Sequence, residues 1–211
     1  MSDPIRKYVV EVIGTFFLVF TVVMTVSQNA ALAPVAIGAS LMVMIFAGGH
    51  ISGAHFNPAV SLAAFVRGRL EARDLIGYWV AQFIGAAIAA GIGNWYFTNH
   101  CGPALSGKPM WQALVAEALF TFALAWVVLN VATSKDHPDN SFYGLAIGFT
   151  VLVGAVAVGG ISGGAFNPAV GLGISIAHLK AWGDFWLFLV GPLLGGAVAG
   201  VAFKALNPDD K

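Results

Sequence analysis

Long apolar stretches separated by short polar segments dominate the pattern of hydrophobic and polar positions. A helix needs about 20 apolar residues to cross a hydrocarbon core of about 30 Å. Two stretches, Pro58–Val66 and Pro168–Ala177, are too short to span alone. The pattern predicts an all-α membrane protein with two half-helices and six transmembrane helices, over Val9–Gln28, Pro34–Gly49, Leu75–Phe97, Trp111–Val131, Phe142–Gly159 and Phe185–Leu206.

A ten-residue phrase occurs twice, 110 positions apart. Ile51–Val60 reads ISGAHFNPAV and Ile161–Val170 reads ISGGAFNPAV, with eight identical positions. Flanking segments also match, and the pairs are Glu11–Leu18 with Glu117–Leu124 and Gln82–Gly91 with Pro192–Gly200. Each repeat, about 8–98 and about 111–206, then contains three spans and one half-span. Because three is odd, the second repeat enters the membrane inverted, with a pseudo-two-fold axis in the membrane plane.

Each copy of the phrase predicts a Gly-rich, irregular re-entrant loop that leads into a half-helix. Asn is a favoured N-cap and Pro suits the first helical position. Two half-helices of about 15 Å would meet near the midplane, so that the amides of Asn57 and Asn167 face the gap. Acceptors would come from the carbonyls of the loops, namely Gly53, Ala54, His55, Gly163, Gly164 and Ala165. Such a path suits neutral hydrogen-bonding solutes, because positive helix ends disfavour cations.

The composition agrees with a membrane protein and excludes some partners. Charged residues make up 9% of the chain, against about 25% in soluble domains. Zero net charge argues against a nucleic-acid partner. Cys101 is the single cysteine, which excludes an internal disulfide and a Cys-based metal cluster, and we expect no cofactor or metal.

The basic residues predict the orientation of the chain in the membrane. Only Lys108 and Lys180 fall on one side of six spans. The other eight fall on the opposite side, and they are Arg6, Lys7, Arg67, Arg69, Arg73, Lys135, Lys204 and Lys211. The positive-inside rule then predicts cytoplasmic N- and C-termini. Compact loops are typical of a multi-pass protein of the prokaryotic inner membrane, surrounded by lipid.

Two carboxylates and two histidines lie near the repeated phrase. Glu11 and Glu117 fall inside predicted spans, where a carboxylate serves either proton coupling or structure. Their matching places in the two repeats favour a structural role, in which each accepts hydrogen bonds from the irregular loop. His50 is either a pH gate or a packed helix-end residue, and we expect it to support the loop. His55 is expected to contribute its carbonyl more than its ring.

These features resemble the aquaporin, or major intrinsic protein, family. The resemblance rests on two Asn-Pro-Ala triplets, on the paired glutamates and on the six-span inverted repeat, and it covers Glu11 to Gly200. It implies a passive channel rather than an enzyme, with a single channel domain over 1–211. It also implies a homotetramer with one pore per subunit. The triplets are Asn57, Pro58, Ala59 and Asn167, Pro168, Ala169.

The chain departs from the family pattern at the selectivity filter. Most members have Arg directly after the second triplet, where this chain has Val170, and glycerol-type members then have Asp, where it has Gly171. Spacing assigns the other filter positions to Ile37, Ala155 and Gly164. Water-selective members typically have a bulky aromatic residue at the first of these and His at the second. The resemblance therefore implies a wide apolar filter that passes water and small uncharged solutes, such as glycerol, urea, ammonia or metalloid hydroxides like arsenous acid.

Three alternatives follow from the same residues. A water-selective aquaporin requires another side chain to narrow the pore. An ion-coupled secondary transporter, which also uses inverted repeats and broken helices, requires a cluster of carboxylates or hydroxyls at the midplane. A membrane enzyme is disfavoured, because the spans contain no paired Asp, no His-Glu-x-x-His and no Ser/His set.

Overall fold

All of the regular structure within residues 3–210, which the computed structural model describes, is helical. Met1, Ser2 and Lys211, one of the basic residues counted above, lie outside the described residues. A 3-10 turn, Trp182–Asp184, precedes the last helix. The helices are α1 (Asp3–Ser27), α2 (Ala33–Ser52), α3 (Pro58–Arg67), α4 (Ala72–Tyr96), α5 (Gly107–Thr133), α6 (Tyr143–Ser162), α7 (Pro168–Ile176) and α8 (Phe185–Leu206).

Six of these helices are long and apolar enough to cross a membrane, and α3 and α7 are the two half-helices. The predicted all-α class with six spans is thus confirmed. Large apolar side chains are exposed on the outer surface of every long helix, as expected where lipid replaces water. Examples are Phe17, Val43, Ile84, Leu119, Val153 and Leu194.

The prediction that the first six residues of each phrase are irregular is wrong for the first two of them. Helices α2 and α6 continue to Ser52 and Ser162. Each helix ends there because the following residue, Gly53 or Gly163, takes a left-handed conformation, with φ of 84° and 110°. Glycine adopts that conformation without a steric penalty. The non-helical backbone before each half-helix is therefore only five residues long.

The two halves of the chain repeat each other's helix contacts. Helix α1 packs on α4 as α5 packs on α8, and each half-helix packs on a long helix of the opposite half, α3 on α8 and α7 on α4. A Cβ on Gly85 would collide with the carbonyl oxygen of Val12, and one on Gly195 would collide with that of Ala118. These are equivalent places in the two repeats, and glycine permits the same close helix crossing at both.

The crossing of α2 and α6 brings together two equivalent glycines. A Cβ on Gly38 would lie 2.6 Å from the carbonyl oxygen of Gly148, and a Cβ on Gly148 would collide with the carbonyl oxygen of Gly38. Residues related by a two-fold axis contact each other only beside that axis. The pseudo-two-fold axis therefore passes through this crossing.

A buried ion pair anchors the end of half-helix α3. Arg67 Nη2 lies 2.7 Å from Asp210 Oδ1, and Arg67 Nε donates a hydrogen bond to Thr133 Oγ1 at 2.8 Å. The guanidinium carbon lies 4.4 Å from the centre of the Phe203 ring, a cation–π arrangement. Burial alone would raise the pKa of the Asp210 carboxyl, but hydrogen bonds from Arg67 and from the Lys135 backbone lower it to about 2. The contact joins α3, α5 and the segment after α8.

Candidate functional site

Each half-helix begins at its Asn-Pro pair. Asn57 and Asn167 are the N-caps of α3 and α7, and proline occupies the first turn of both. Asn57 Oδ1 accepts a hydrogen bond from Ala59 N at 2.9 Å, and Asn167 Oδ1 accepts one from Ala169 N at 2.9 Å. Each cap stabilises its helix start by about 1 kcal/mol.

The same two asparagines tie the loops to each other. Asn57 Nδ2 donates to the carbonyl oxygen of Phe166 at 2.9 Å, and Asn167 Nδ2 donates to that of Phe56 at 2.8 Å. All four residues are buried. These reciprocal bonds hold together two helix ends whose positive dipole ends repel each other. Each amide retains a second N–H, and both asparagine side chains line a cavity.

The backbone of the two short loops is strained at matching places. Two of the non-glycine residues involved, Ala54 and Phe56, have φ of 51° and 47°. A left-handed conformation costs about 1–2 kcal/mol for a residue with a side chain. Such loops persist only where surrounding contacts hold them. The positions with positive φ are Gly53, Ala54 and Phe56 in the first loop and Gly163, Gly164 and Phe166 in the second.

The buried carboxylate of Glu11 holds the first loop. Its Oε1 accepts hydrogen bonds from Ser52 Oγ at 2.7 Å and from His55 N at 3.0 Å. Its Oε2 accepts from Phe56 N at 2.7 Å and from Gln82 Nε2 at 2.8 Å. Since all four groups donate, they favour the ionised carboxylate at this place.

Glu117 holds the second loop in the same way. Its Oε1 accepts from Ser162 Oγ at 2.7 Å and from Ala165 N at 3.0 Å, and its Oε2 accepts from Phe166 N at 2.6 Å. Pro192 stands where the first repeat has Gln82, so no matching side-chain amide is present. Both glutamates are fully buried and hydrogen-bonded to loop N–H groups. This geometry favours a structural role over proton coupling.

The two histidines near the first phrase differ in their surroundings. His50 is exposed at the end of α2, and within residues 3–210 no hydrogen bond or ion pair joins it to the loop. The structure thus does not give His50 the loop-supporting contact that the sequence predicted, because its side chain is exposed rather than packed. The ring of His55 is held, with Nδ1 3.1 Å from Ser61 Oγ and an edge-to-face contact with Tyr78 at 5.1 Å between ring centres. Its ring therefore contributes to the loop as well as its carbonyl.

A cavity of about 310 Å³ lies between the half-helices. It contains all four positions that spacing assigned to the filter, which are Ile37, Ala155, Gly164 and Val170. Five of the six residues expected to supply carbonyls also line it, namely Gly164 itself together with Ala54, His55, Gly163 and Ala165. The remaining wall is mainly aliphatic, and includes Leu18, Leu41, Leu124, Ile147 and Val151.

A second cavity, of about 570 Å³, lies on the side of the chain termini. Gly53, the sixth expected carbonyl residue, lines this cavity rather than the first. Its wall is much more polar, with Lys7, Arg69, Glu71, Asp74, Lys135, His137 and Asp139. His55 and Val128 line both cavities, so these two residues lie between them.

Sequence reasoning missed several residues of the site. Ser52, Ser162 and Gln82 bind the glutamates, and the available signal was that all three are polar residues in or beside apolar spans. Lys180 lines the same cavity as the filter positions, although its place in the sequence after α7 suggested a solvated outer loop. No periodicity signals Lys180, because its position depends on how the chain turns back after α7.

Two capped half-helices that meet between six spanning helices define a class, a polytopic channel built from an inverted repeat. Residues 1–203 match the family model described as Major intrinsic protein. The chain belongs to this family, which confirms the resemblance seen in its triplets and repeat.

Individual relatives and a solved structure agree with this family assignment. Glycerol uptake facilitator protein-like 6 of Lactiplantibacillus plantarum is 36% identical, with 97% of this chain and 100% of the relative covered. Aquaporin NIP1-1 of Zea mays is 39% identical, covering 98% of this chain and 77% of the relative. The aquaglyceroporin from Plasmodium falciparum has the same fold, with a TM-score of 0.82 at 22% identity over 97% of this chain and 98% of that one. The protein is a multi-pass membrane channel that passes water and small solutes passively.

Proposed function

We propose that this channel conducts small uncharged solutes as well as water, and that its filter is open and apolar. The observation that carries the proposal is the chemistry of one cavity. The four filter positions in its wall offer an isoleucine, an alanine, a glycine and a valine side chain, with no charge and no hydrogen-bond donor among them. The candidate solutes are glycerol, urea, ammonia and metalloid hydroxides such as arsenous acid.

Physical chemistry supports solutes that are small, neutral and partly apolar. Aliphatic walls accept the CH groups of glycerol without desolvating a polar group. The remaining N–H groups of Asn57 and Asn167 and the loop carbonyls offer a few hydrogen bonds to hydroxyl or amide groups. An ion has too few polar partners here to replace its hydration shell. The names of a relative and of the solved structure, a glycerol uptake facilitator-like protein and an aquaglyceroporin, fit the same solute class.

An ion-coupled mechanism finds less support in the site. Coupling requires a carboxylate that binds and releases a proton or cation during transport. Glu11 and Glu117 are instead bound by backbone N–H groups of the loops, and neither lines the 310 Å³ cavity. Releasing either carboxylate from those bonds would release the loop that forms the pore.

The assembly and location belong to the same proposal. We propose a homotetramer with one pore per subunit, in a prokaryotic inner membrane with both termini in the cytoplasm. The exposed apolar side chains around the six long helices supply surface for lipid and for neighbouring subunits. The distribution of Lys and Arg supports the orientation.

The test is a solute panel on the wild-type protein in proteoliposomes. Stopped-flow light scattering measures permeability to water, glycerol, urea and arsenous acid, with empty liposomes as baseline. The matched control is Ala155→Trp, which places a large ring in the cavity. We expect wild-type flux of water and of at least one larger solute, and loss of both in the Trp variant. Flux of water alone would support the water-selective alternative, and baseline flux for every solute would refute the proposal.

A further inference from the structure

We infer that Lys180 supplies the outer half of the pore with the positive charge that filter position 170 lacks, and that it thereby excludes cations. This inference rests on the proposed pore, because it assigns a role to a residue in the wall of the same cavity. Lys180 is half-buried, and it is the one Lys, Arg, Asp or Glu among the described residues that line this cavity.

The turn after α7 brings Lys180 back toward the filter. Helix α7 ends at Ile176, and His178 then takes a left-handed φ of 54°. The backbone N–H groups of Leu179 and Lys180 both donate to the carbonyl oxygen of Ile174, at 2.9 and 3.2 Å. The chain therefore folds back on the end of the half-helix, and both Leu179 and Lys180 line the cavity.

The far end of the Lys180 side chain lies against the second loop. A Cβ on Gly163 would lie 2.7 Å from Lys180 Cε and 3.4 Å from Nζ. Gly163 precedes the filter residue Gly164 directly, so the ammonium group lies beside the filter.

The inverted repeat gives Gly163, the glycine that Lys180 covers, an equivalent glycine at the other end of the pore. Gly53 is equivalent to Gly163, and a Cβ on Gly53 would lie 3.3 Å from His55 Nε2. The second repeat has Ala165 where the first has His55, which leaves room over Gly163. Lys180 fills that room from a different part of the chain, so a nitrogen-bearing side chain covers the glycine at both ends.

The chemistry of this arrangement separates cations from neutral solutes. An ammonium group is a compact charge with three hydrogen-bond donors and no acceptor. Within a largely aliphatic pore its field is screened less than in water, so it repels entering cations. A hydroxyl or amide oxygen can accept a hydrogen bond from the same group. With valine at position 170, the filter itself supplies neither effect.

The test compares Lys180→Met with Lys180→Arg, which keeps the charge. Lys108→Met is the matched control, because Lys108 is an exposed lysine predicted to lie on the same side of the membrane and does not line the cavity. Proteoliposomes are assayed for flux of methylammonium, and for flux of water and urea in parallel. We expect Lys180→Met to raise methylammonium flux roughly tenfold. Lys180→Arg and Lys108→Met should remain at the wild-type value.

The parallel water and urea measurements distinguish a failure of the role inferred for Lys180 from a failure of the proposed channel function. Wild-type levels of water flux in Lys180→Met establish an intact pore, and Lys180→Gln serves the same purpose if the Met variant fails to fold. Unchanged methylammonium flux in a variant with an intact pore would overturn the role of Lys180 and leave the proposed function standing. An equal increase in Lys108→Met would overturn it too. Absence of water and urea flux in the wild type would refute the proposed function itself.

Discussion

The substitution Glu117→Gln tests whether the buried carboxylates hold the pore loops. The two loop N–H groups bind different oxygens of Glu117, Ala165 N binding Oε1 and Phe166 N binding Oε2. An amide has one oxygen and one NH₂ group, so it can accept from one of these N–H groups and must face the other with a donor. Rotating the side chain only exchanges the group that is left unpaired.

The expected loss of stability follows from this geometry. A buried donor without a partner costs about 1–3 kcal/mol, and the bonds that remain weaken by about 1 kcal/mol each when the acceptor loses its charge. The sum for Glu117→Gln is about 2–5 kcal/mol. For a chain of this length, 1 kcal/mol corresponds to a shift of about 2–4 °C in Tm, so we expect a decrease of about 4–20 °C.

The assay is thermal unfolding of the detergent-solubilised protein, followed by size-exclusion chromatography. Glu71→Gln is the matched control, because it makes the same chemical change at an exposed glutamate. Its Tm should remain within about 1–2 °C of wild type. Equal Tm values for Glu117→Gln and Glu71→Gln would refute the structural role of the carboxylate. Proton-coupled solute uptake, abolished by Glu117→Gln at unchanged Tm, would favour the transporter alternative.

Two further predictions concern the packing and the ion pair that hold the half-helices in place. Gly148→Ala should lower Tm by several degrees, because its Cβ would collide with the carbonyl oxygen of Gly38. Gly91→Ala, with open space around it, should leave Tm unchanged or raise it, and a similar decrease in both variants would contradict the close crossing of α2 and α6. Asp210 has a folded-state pKa of about 2, below the ordinary value of 3.8, so its contribution to stability is present above about pH 4 and is lost as the pH falls through 2. The Tm difference between wild type and Asp210→Asn should therefore be constant from pH 8 to 5 and shrink between pH 4 and 2, and a difference that grows on acidification would contradict this ion pair.

The sequence predicted those parts of the fold that depend on local pattern. The length of the apolar stretches predicted the six spans. The Asn-Pro pairs predicted the half-helices, whose caps depend only on adjacent residues. The matched glutamates were recognisable because an inverted repeat places equivalent residues in equivalent surroundings. Glu11 and Glu117 do bind their loops as that argument expects.

The remaining features of the site depend on contacts between distant segments. Ser52, at the end of α2, donates a hydrogen bond from its hydroxyl group to Glu11, which lies 41 residues earlier in the chain. Lys180 reaches Gly163 only because the chain turns back after α7. His50 was predicted to support the loop because it is close to the repeated phrase in sequence. Closeness in sequence does not determine which face of a helix a residue occupies.

The measurement that tests the central claim most directly is the ratio of glycerol to water permeability in wild type and in Val170→Arg. Val170 is buried in the wall of a cavity of about 310 Å³, so the longer and charged arginine must occupy space that a solute would use. An open apolar filter predicts that the wild type conducts glycerol, and that the variant retains most of its water flux while its glycerol flux falls at least about tenfold. A wild-type protein that conducts only water, with little change on introducing arginine, would contradict the open filter.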